Sequence, residues 1–359
     1  TSLSLSRLDS EPVAKPAVIS ANGAIDNAPF LINGNMAVFS EKPGFSGKVV
    51  LEKLDVSPYL VLVSPDMKQN QLVASINSQI QLDLGKEQVL TVESDGQFSL
   101  EKVSWLDSDL ALKAGQLSWR GALDLFKSSA SAMKIRTDGK LQADDLAVEM
   151  QAATLAMAND QFLWQGKTET EISPDSDIAI NLNGQLLNSS LDLELEKQDF
   201  AVKNGNLNWQ GNADLRLKNN GQLKVISDGK LQNEALRLER SRQQLQLIAG
   251  VVAWQGNIKL VNDTEMLDIS SLSDLKLSGL KMQRIDGQER LVLTQEIQAE
   301  KIDIQSLDEI RINDLSFSEL SIGRPQKLEK LPVDLAGFIN YDELDIQQIS
   351  YSAEKGIHL

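Results

Sequence analysis

A repeat of 45 residues is the feature that most constrains how this chain folds. Four of the five tryptophans lie 45 residues apart, and each is followed two positions later by a glycine. These pairs are Trp119 with Gly121, Trp164 with Gly166, Trp209 with Gly211 and Trp254 with Gly256. Because a repeat of this length is one supersecondary unit that cannot bury its apolar face alone, neighbouring copies are expected to stack into a single repetitive body.

Apolar residues keep a constant distance from the repeated tryptophans. The positions two, seven and nine residues before each tryptophan are apolar in all four copies. In chain order these residues are Leu110, Leu112, Leu117, Leu155, Met157, Phe162, Phe200, Val202, Leu207, Leu245, Leu247 and Val252. They predict one apolar stripe that continues from copy to copy.

Within each copy, apolar and polar residues alternate, which is typical of β-strands with one wet face. The segment LDLELE alternates in this way, and the same alternation adds the apolar residues Leu191, Leu193, Leu195, Leu215, Leu217, Leu236, Leu238, Ile258 and Leu260. Asp-Gly and Asn-Gly pairs recur at Gly139, Gly184 and Gly229, and a similar pair ends at Gly96. Since both residue types accept positive φ, we expect turns there, giving about four strands per repeat of roughly nine to eleven residues each.

The period divides the chain into three regions. Residues 1–93 form an N-terminal β segment, residues 94–261 hold the four repeats, and residues 262–359 form a C-terminal β segment with the same alternation but no fixed register. Breaks are expected at Ser57–Pro58 and Arg324–Pro325, because proline interrupts strand pairing. Residues 54–61 and 122–132 are candidate short helices, and the helical share is expected to be small.

Composition excludes several classes of function. A net charge of −16 leaves no basic footprint for nucleic acid. The chain has no cysteine and only one histidine, His358, so nucleophilic triads and thiolate metal sites lack their residues. Asp175–Ser176–Asp177 resembles a calcium loop only in part, because the glycine and the closing glutamate of such a loop are absent. The sequence therefore predicts a protein that is not an enzyme and has no metal or cofactor.

The apolar face of every strand has to be covered. Two sheets can close as a sandwich, the chain can coil as a β-solenoid, or one sheet can curl into an open trough that a ligand fills. A 45-residue unit is about twice the rung of a solenoid, and its hairpin signals favour antiparallel pairing. We therefore expect an all-β fold: an elongated, curled antiparallel sheet forming a repeating β-groove, which the C-terminal segment 262–359 continues. The apolar residues named above would line it and hold acyl chains, since each buried CH₂ contributes about 0.8 kcal/mol.

The segment LEKLDVSPYL (Leu51–Leu60), followed by many L-x-L strands with Asn-Gly and Asp-Gly pairs, resembles the AsmA-like superfamily of diderm bacteria. This superfamily includes AsmA and TamB relatives with long β-grooves thought to carry phospholipids from the inner towards the outer membrane. The resemblance implies a periplasmic protein that contacts phospholipid acyl chains and is tethered to the inner membrane by a helix outside this sequence. It leaves the envelope protein partners unspecified.

Two other functions remain open from the sequence alone. A structural or adhesive β-repeat protein would use the same apolar faces as a closed core and bind no lipid. A polysaccharide-active β-solenoid enzyme would need carboxylates beside stacked aromatics, and the aromatic content of 5% disfavours it.

Overall fold

The structure is a computed structural model. It describes residues 2–6, 16–38, 40, 42–62, 69–85, 89–106, 110–128, 132–150, 154–196, 199–220, 222–242, 244–262, 267–285, 290–306, 309–323, 338–352 and 356–358. Arg324 and Pro325, where the sequence predicts a break, lie outside these residues.

The fold is almost entirely β, with 85% strand and 2% helix, so the predicted fold class and the small helical share are confirmed. The described part of the chain contains twenty strands and one short helix. In chain order they are β1 Ser2–Ser6, β2 Ala17–Ile25, β3 Ala28–Ala37, β4 Gly44–Asp55, α1 Ser57–Leu60, β5 Gln71–Leu84, β6 Leu90–Leu106, β7 Leu110–Lys127, β8 Met133–Met150, β9 Leu155–Ile172, β10 Ile178–Ser189, β11 Asp192–Leu195, β12 Phe200–Lys203, β13 Asn206–Leu217, β14 Leu223–Arg240, β15 Leu245–Asn262, β16 Leu267–Arg284, β17 Arg290–Ser306, β18 Glu309–Gly323, β19 Phe338–Ser352 and β20 Gly356–His358.

Sequential strands pair antiparallel, as hairpin connections require, in one large sheet. Each strand from β1 to β8 pairs with the next one along the chain. The strands from β14 to β20 pair in the same way. Between these two sets, β11 pairs with both β9 and β12, and β12 pairs with β14.

The chain divides into two compact units. Unit one comprises Thr1–Met150, Gln161–Gln185 and Asp214–Gly221. Unit two comprises Gln151–Asp160, Leu186–Ala213 and Gln222–Leu359. The sequence boundary at 93/94 falls inside β6, and the boundary at 261/262 falls at the end of β15.

One expectation, about four strands per repeat, is wrong. The copy that spans residues 110–154 holds two strands, β7 and β8, of 18 residues each. The Asp-Gly pair predicted as a turn lies in the middle of β8, where Gly139 is directly opposite Gly121 of β7. Gly96 likewise lies inside β6, opposite Gly121. Glycine inside a strand can mark a bend or a place where another backbone comes close. At these glycines the backbones of the neighbouring strands come close.

The close approach at these glycines explains the Trp-x-Gly repeat. A Cβ built on Gly139 would lie 2.8 Å from Cζ2 of the Trp119 indole and 2.3 Å from the carbonyl oxygen of Arg120. A Cβ built on Gly184 would lie 3.0 Å from Cη2 of Trp164. The indoles of Trp119 and Trp164 therefore each cover a glycine of the neighbouring strand, a cross-strand contact that replaces the missing side chain, whereas Gly256 in the last copy faces Ser273.

Left-handed residues interrupt the alternation in every second long strand. Lys53 of β4, Lys102 of β6, Asp145 of β8, Ala235 of β14 and Gly279 of β16 all have φ between 50° and 64°. The register is the same on the two sides of Lys102, Asp145, Ala235 and Gly279, so these residues interrupt the pairing without adding an extra residue to one strand. Apolar residues on the two sides of such a position, an odd number of positions apart, lie on the same face: Leu277 packs against the cluster that contains Leu280.

The short-helix expectations have different outcomes. Residues 57–60 form α1, with Pro58 in its first turn and the side chain of Asp55 accepting a hydrogen bond of 3.0 Å from the Ser57 N–H. Because β4 ends at Asp55 and this helix follows it, the strand break predicted at Ser57–Pro58 is confirmed. The candidate helix at 122–132 is wrong, because β7 continues to Lys127. The reason is strand pairing. Leu123 and Leu125 of β7 lie opposite residues of β6 and β8, and Leu125 faces Ile135 of β8.

Candidate functional site

Unit two presents a continuous apolar row across nine paired strands. Residues directly opposite one another on paired strands lie on the same face of a sheet. Along one such line every residue is apolar. In order across the sheet the row is Met157, Leu193, Val202, Leu238, Leu247, Met282, Val292, Ile322 and Ile339. Five of the nine are among the residues that the sequence predicts as groove-lining.

Two more rows run parallel to the first. One consists of Leu231, Trp254, Leu275, Ala299, Leu315 and Ile346. The other consists of Asn233, Val252, Leu277, Ile297, Phe317 and Leu344. Leu236, Leu247, Leu275 and Leu277 pack on a cluster formed by Ala249, Val252 and Leu280, so residues from both sides of the left-handed Gly279 share this face. A second cluster formed by Ala299, Ile302 and Leu315 also contacts Leu275 and Ile297. We call this side of the sheet the apolar face.

Unit one repeats the arrangement by itself. One row consists of Phe30, Leu51, Ile76, Phe98, Trp119 and Leu141. Another consists of Met36, Phe45, Leu82, Val92, Leu125 and Ile135. These rows begin well before the first exact repeat. The N-terminal β segment thus builds an apolar face of the same kind within unit one, without the fixed 45-residue register.

The predicted groove-lining residues are mostly half-buried. Val252 is 8% exposed, whereas Leu217 is 42% exposed. The side chain of Leu110 lies outside the described residues, and the remaining predicted residues are half-buried. Among the described residues, the largest side chains that reach full burial are Asn70 and Ser78, both polar. Leu280, Ile302 and Leu315 are buried, at 9%, 9% and 7% exposed, whereas most of the large aliphatic side chains in the rows are half-buried and less sealed than the core of a sandwich.

The sequence predicts that residues 262–359 continue the groove, but it identifies none of the residues that β16 to β19 add to the apolar face. Met282, Val292, Ile322 and Ile339 extend the first row through four strands beyond the last repeat. Their alternation with polar residues was the available signal, but register shifts in β17 break its phase. A fixed repeat distance therefore could not have found them.

The opposite face of unit two is polar. In the row formed by Gln232, Ala253, Lys276, Gln298, Ser316 and Asp345, only the short side chain of Ala253 is apolar. A hollow of about 450 Å³ lies on this face over Ala253, between longer side chains that include Lys230, Gln255 and Asp274. Lys276 forms an ion pair of 2.8 Å with Glu296.

Charged groups shift one another's pKa only at the surface. The hydrogen bond from Lys203 to Asp192, 2.8 Å long, raises the pKa of Lys203, and the charge of Asp192 adds to the effect. Hydrogen bonds from the side chain and backbone of Ser57 lower the pKa of Asp55. Exposed pairs of this kind contribute little to stability and are screened by salt.

The residues considered for chemistry do not assemble into a centre. Within the described ranges there is no group of three or more His, Cys, Asp or Glu side chains that could hold a metal ion. Asp175, Ser176 and Asp177 form the turn between β9 and β10, where Oδ1 of Asp177 accepts a 2.9 Å hydrogen bond from the Asn219 N–H. His358 ends β20 opposite Ser350.

Four asparagines interrupt the apolar character of unit two. Asn159, Asn204 and Asn233 are 4%, 7% and 5% exposed, and Asn188 is half-buried. In each of the four, one side-chain atom is buried without a hydrogen-bond partner: Oδ1 of Asn159, Asn188 and Asn233, and Nδ2 of Asn204. Such atoms are uncommon in folded proteins.

Comparison with known proteins gives no relatives. A scan against protein-family models, a search of curated proteins and a search of solved structures all return no match. Among the residues that the structure describes, no helix combines the length and the apolar character needed to cross a membrane.

Proposed function

We propose that this chain holds lipid acyl chains against the apolar face of its sheet and carries phospholipid between the inner and outer membranes of a bacterial envelope. The observation that supports the proposal most is the unbroken apolar row from Met157 to Ile339 in unit two. Its members are aliphatic and come from nine different strands. A row of this kind offers a long surface for hydrocarbon and no reactive group.

The dimensions and energies suit an acyl chain. Neighbouring strands lie about 4.8 Å apart, so nine strands give a row of roughly 38 Å. Each methylene removed from water contributes about 0.8 kcal/mol, and ten methylenes contribute about 8 kcal/mol. Because similar residues follow one another along the row, a chain can slide without a large change in free energy. The polar head group would stay in water.

The groove itself is part of this proposal. A sheet whose apolar face curls inward leaves its large aliphatic side chains half-buried, as Leu238 and Leu277 are. The charged residues would then lie on the outer side, in agreement with the Lys276–Glu296 pair on the polar face. The resemblance of LEKLDVSPYL to the AsmA-like superfamily supports the same function, including a periplasmic location and an inner-membrane tether outside this sequence.

A structural or adhesive repeat protein is the alternative. The cluster around Ala249, Val252 and Leu280 favours it locally, because these three side chains are buried by the protein itself. If the whole apolar face were covered in this way, no lipid would be needed. The half-buried row beside the cluster argues for the lipid function instead.

Site-specific crosslinking separates the two functions. A photoreactive p-benzoylphenylalanine replaces either Leu238, on the apolar row, or Arg237, its exposed neighbour on the polar face. The chain is expressed in a diderm bacterium and irradiated in the cells, and adducts are identified by mass spectrometry. The proposal expects phospholipid adducts at position 238 and none at position 237. Equal labelling at both positions, or none at position 238 in folded protein, would refute it.

A further inference from the structure

The buried asparagines of unit two occupy fixed positions of the repeat. Asn159 and Asn204 are 45 residues apart, and so are Asn188 and Asn233. The same positions in the other copies hold Ala114, Ala143 and Ala249, which are 5%, 2% and 0% exposed, and the half-buried Ser278. The fold therefore needs only a small buried side chain at these positions. An amide there introduces a polar group that the fold leaves without a full set of partners.

The asparagines come together where the central strands are interrupted. β10 ends at Ser189 and β11 begins at Asp192, while β12 ends at Lys203 and β13 begins at Asn206. Gly205 joins these segments: its carbonyl oxygen accepts a 2.6 Å hydrogen bond from the Ser190 N–H, and its N–H donates to the Glu234 carbonyl at 2.9 Å. Asn188, Asn204 and Asn233 each lie within two residues of these contacts.

The fourth asparagine joins this group through the neighbouring strand. Ala158, next to Asn159, is directly opposite Asp192 of β11. The N–H of Asn204 donates to the Leu191 carbonyl at 2.9 Å, and Oδ1 of Asn204 accepts from the Leu191 N–H at 3.1 Å. We call Asn159, Asn188, Asn204 and Asn233 the asparagine cluster. It lies beside the apolar row that runs through Met157, Leu193, Val202 and Leu238.

We propose that the asparagine cluster binds the polar linkage of a monoacyl lipid such as a lysophospholipid, meaning the free hydroxyl and ester carbonyl groups of its glycerol. This inference rests on the proposed function, because the acyl chain of the same molecule would lie on the adjacent apolar row. The three unpartnered Oδ1 atoms accept from hydroxyl groups, and Nδ2 of Asn204 donates to a carbonyl oxygen. The polar group reaches them as the half-buried aliphatic side chains of the row move aside.

Burial makes such hydrogen bonds selective. A site with unpartnered polar atoms discriminates strongly against a ligand that lacks the matching group, because the site's atoms stay unsatisfied in that complex. A glycerol ester supplies both donor and acceptor, whereas an alkyl ester of the same fatty acid supplies only the acceptor. The cluster would therefore give the sliding surface one point at which the polar part of a lipid is recognised.

The test compares 1-monomyristoylglycerol with methyl myristate, which share an acyl chain but differ in free hydroxyl groups. Binding to the full chain is followed by tryptophan fluorescence. Wild-type protein is expected to bind the glycerol ester at least about tenfold more tightly, as one or two additional hydrogen bonds imply. The variant Asn159→Ala/Asn204→Ala/Asn233→Ala, which introduces the alanine that other copies hold at these positions, is expected to bind both esters with equal affinity. Gln232→Ala, on the polar face one residue from Asn233, is the matched control and keeps the preference.

The outcomes separate the two proposals. The triple variant is expected to melt at the wild-type temperature or above; if it does not fold, Asn159→Ala alone carries the test, with a smaller loss of preference. Equal binding of both esters by wild-type protein would show that the cluster holds only water, and it would overturn this inference while the lipid function stands. A wild-type protein that binds neither ester would overturn both.

Discussion

Replacing Gly121, which faces a glycine on each neighbouring strand, is a strong test of the sheet geometry. A Cβ at position 121 would lie 2.2 Å from the Asp138 carbonyl oxygen and 2.6 Å from the Gly139 Cα, and φ at this position is +144°. Both obstacles are backbone atoms, so β7 and β8 have to separate. Overpacking contributes about 1–3 kcal/mol of destabilisation and the unusual backbone conformation a similar amount, so we expect Gly121→Ala to destabilise the protein by roughly 3 kcal/mol.

The assay for this variant is urea unfolding followed by circular dichroism. With a slope of about 3 kcal/mol per molar urea, the transition that includes β7 moves down by roughly 1 M. Gly85→Ala is the control, since its nearest neighbour would be the Val89 side chain at 3.3 Å, which can move. If the two variants unfold at the same urea concentration, the glycines are not in close backbone contact and the explanation of the Trp-x-Gly repeat is wrong.

Three further predictions concern other parts of the molecule. Ala235→Gly is expected to stabilise the chain by about 1 kcal/mol in thermal unfolding, because Ala235 is held at φ +54° and glycine adopts that region freely; an unchanged or lower midpoint would contradict the left-handed assignment. The pKa of Asp55 in the folded protein is lowered from its ordinary value of 3.8. The ionised carboxylate therefore stabilises the fold above that value, and this contribution fades as the pH falls through the folded-state pKa. The difference in melting temperature between wild type and Asp55→Asn should shrink from pH 6 to pH 3. Lys203→Met should change the melting temperature little in 0.5 M salt, because the exposed Lys203–Asp192 pair is screened.

The sequence predicts the strand content and the continuity of the apolar residues, for reasons the structure makes clear. Positions two, seven and nine residues before each tryptophan recur because the copies that begin at Leu110 and Leu245 each add two strands of 18 residues. The copies that begin at Leu155 and Phe200 each add one such strand and a second one that is interrupted. Leu247 and Val252 contact one cluster although five residues separate them. An uninterrupted strand would place them on opposite faces. Their shared face goes with a break in pairing at Gly250, which lies opposite the left-handed residues Ala235 of β14 and Gly279 of β16, and no propensity identifies such a position.

The strand count could not be predicted from the glycines alone. Asp138–Gly139 has the composition of a hairpin turn, yet it lies inside β8 because the Trp119 indole occupies the space where a side chain would be. A local signal was outweighed by a contact with the neighbouring strand. The asparagine cluster was missed for a related reason: Asn159 and Asn204 look like loop residues in the sequence, and only the structure shows that they are buried.

The central claim is that the apolar face holds acyl chains, and the lipid content of the purified protein tests it most directly. The chain is purified without detergent from a diderm bacterium, its fold is checked by circular dichroism, and extracted lipids are quantified by mass spectrometry against the protein concentration. The account predicts at least one phospholipid per chain, reduced in a Leu238→Gln variant and unchanged in Arg237→Gln. A folded wild-type protein free of lipid, which also takes up none from phospholipid vesicles, would contradict it.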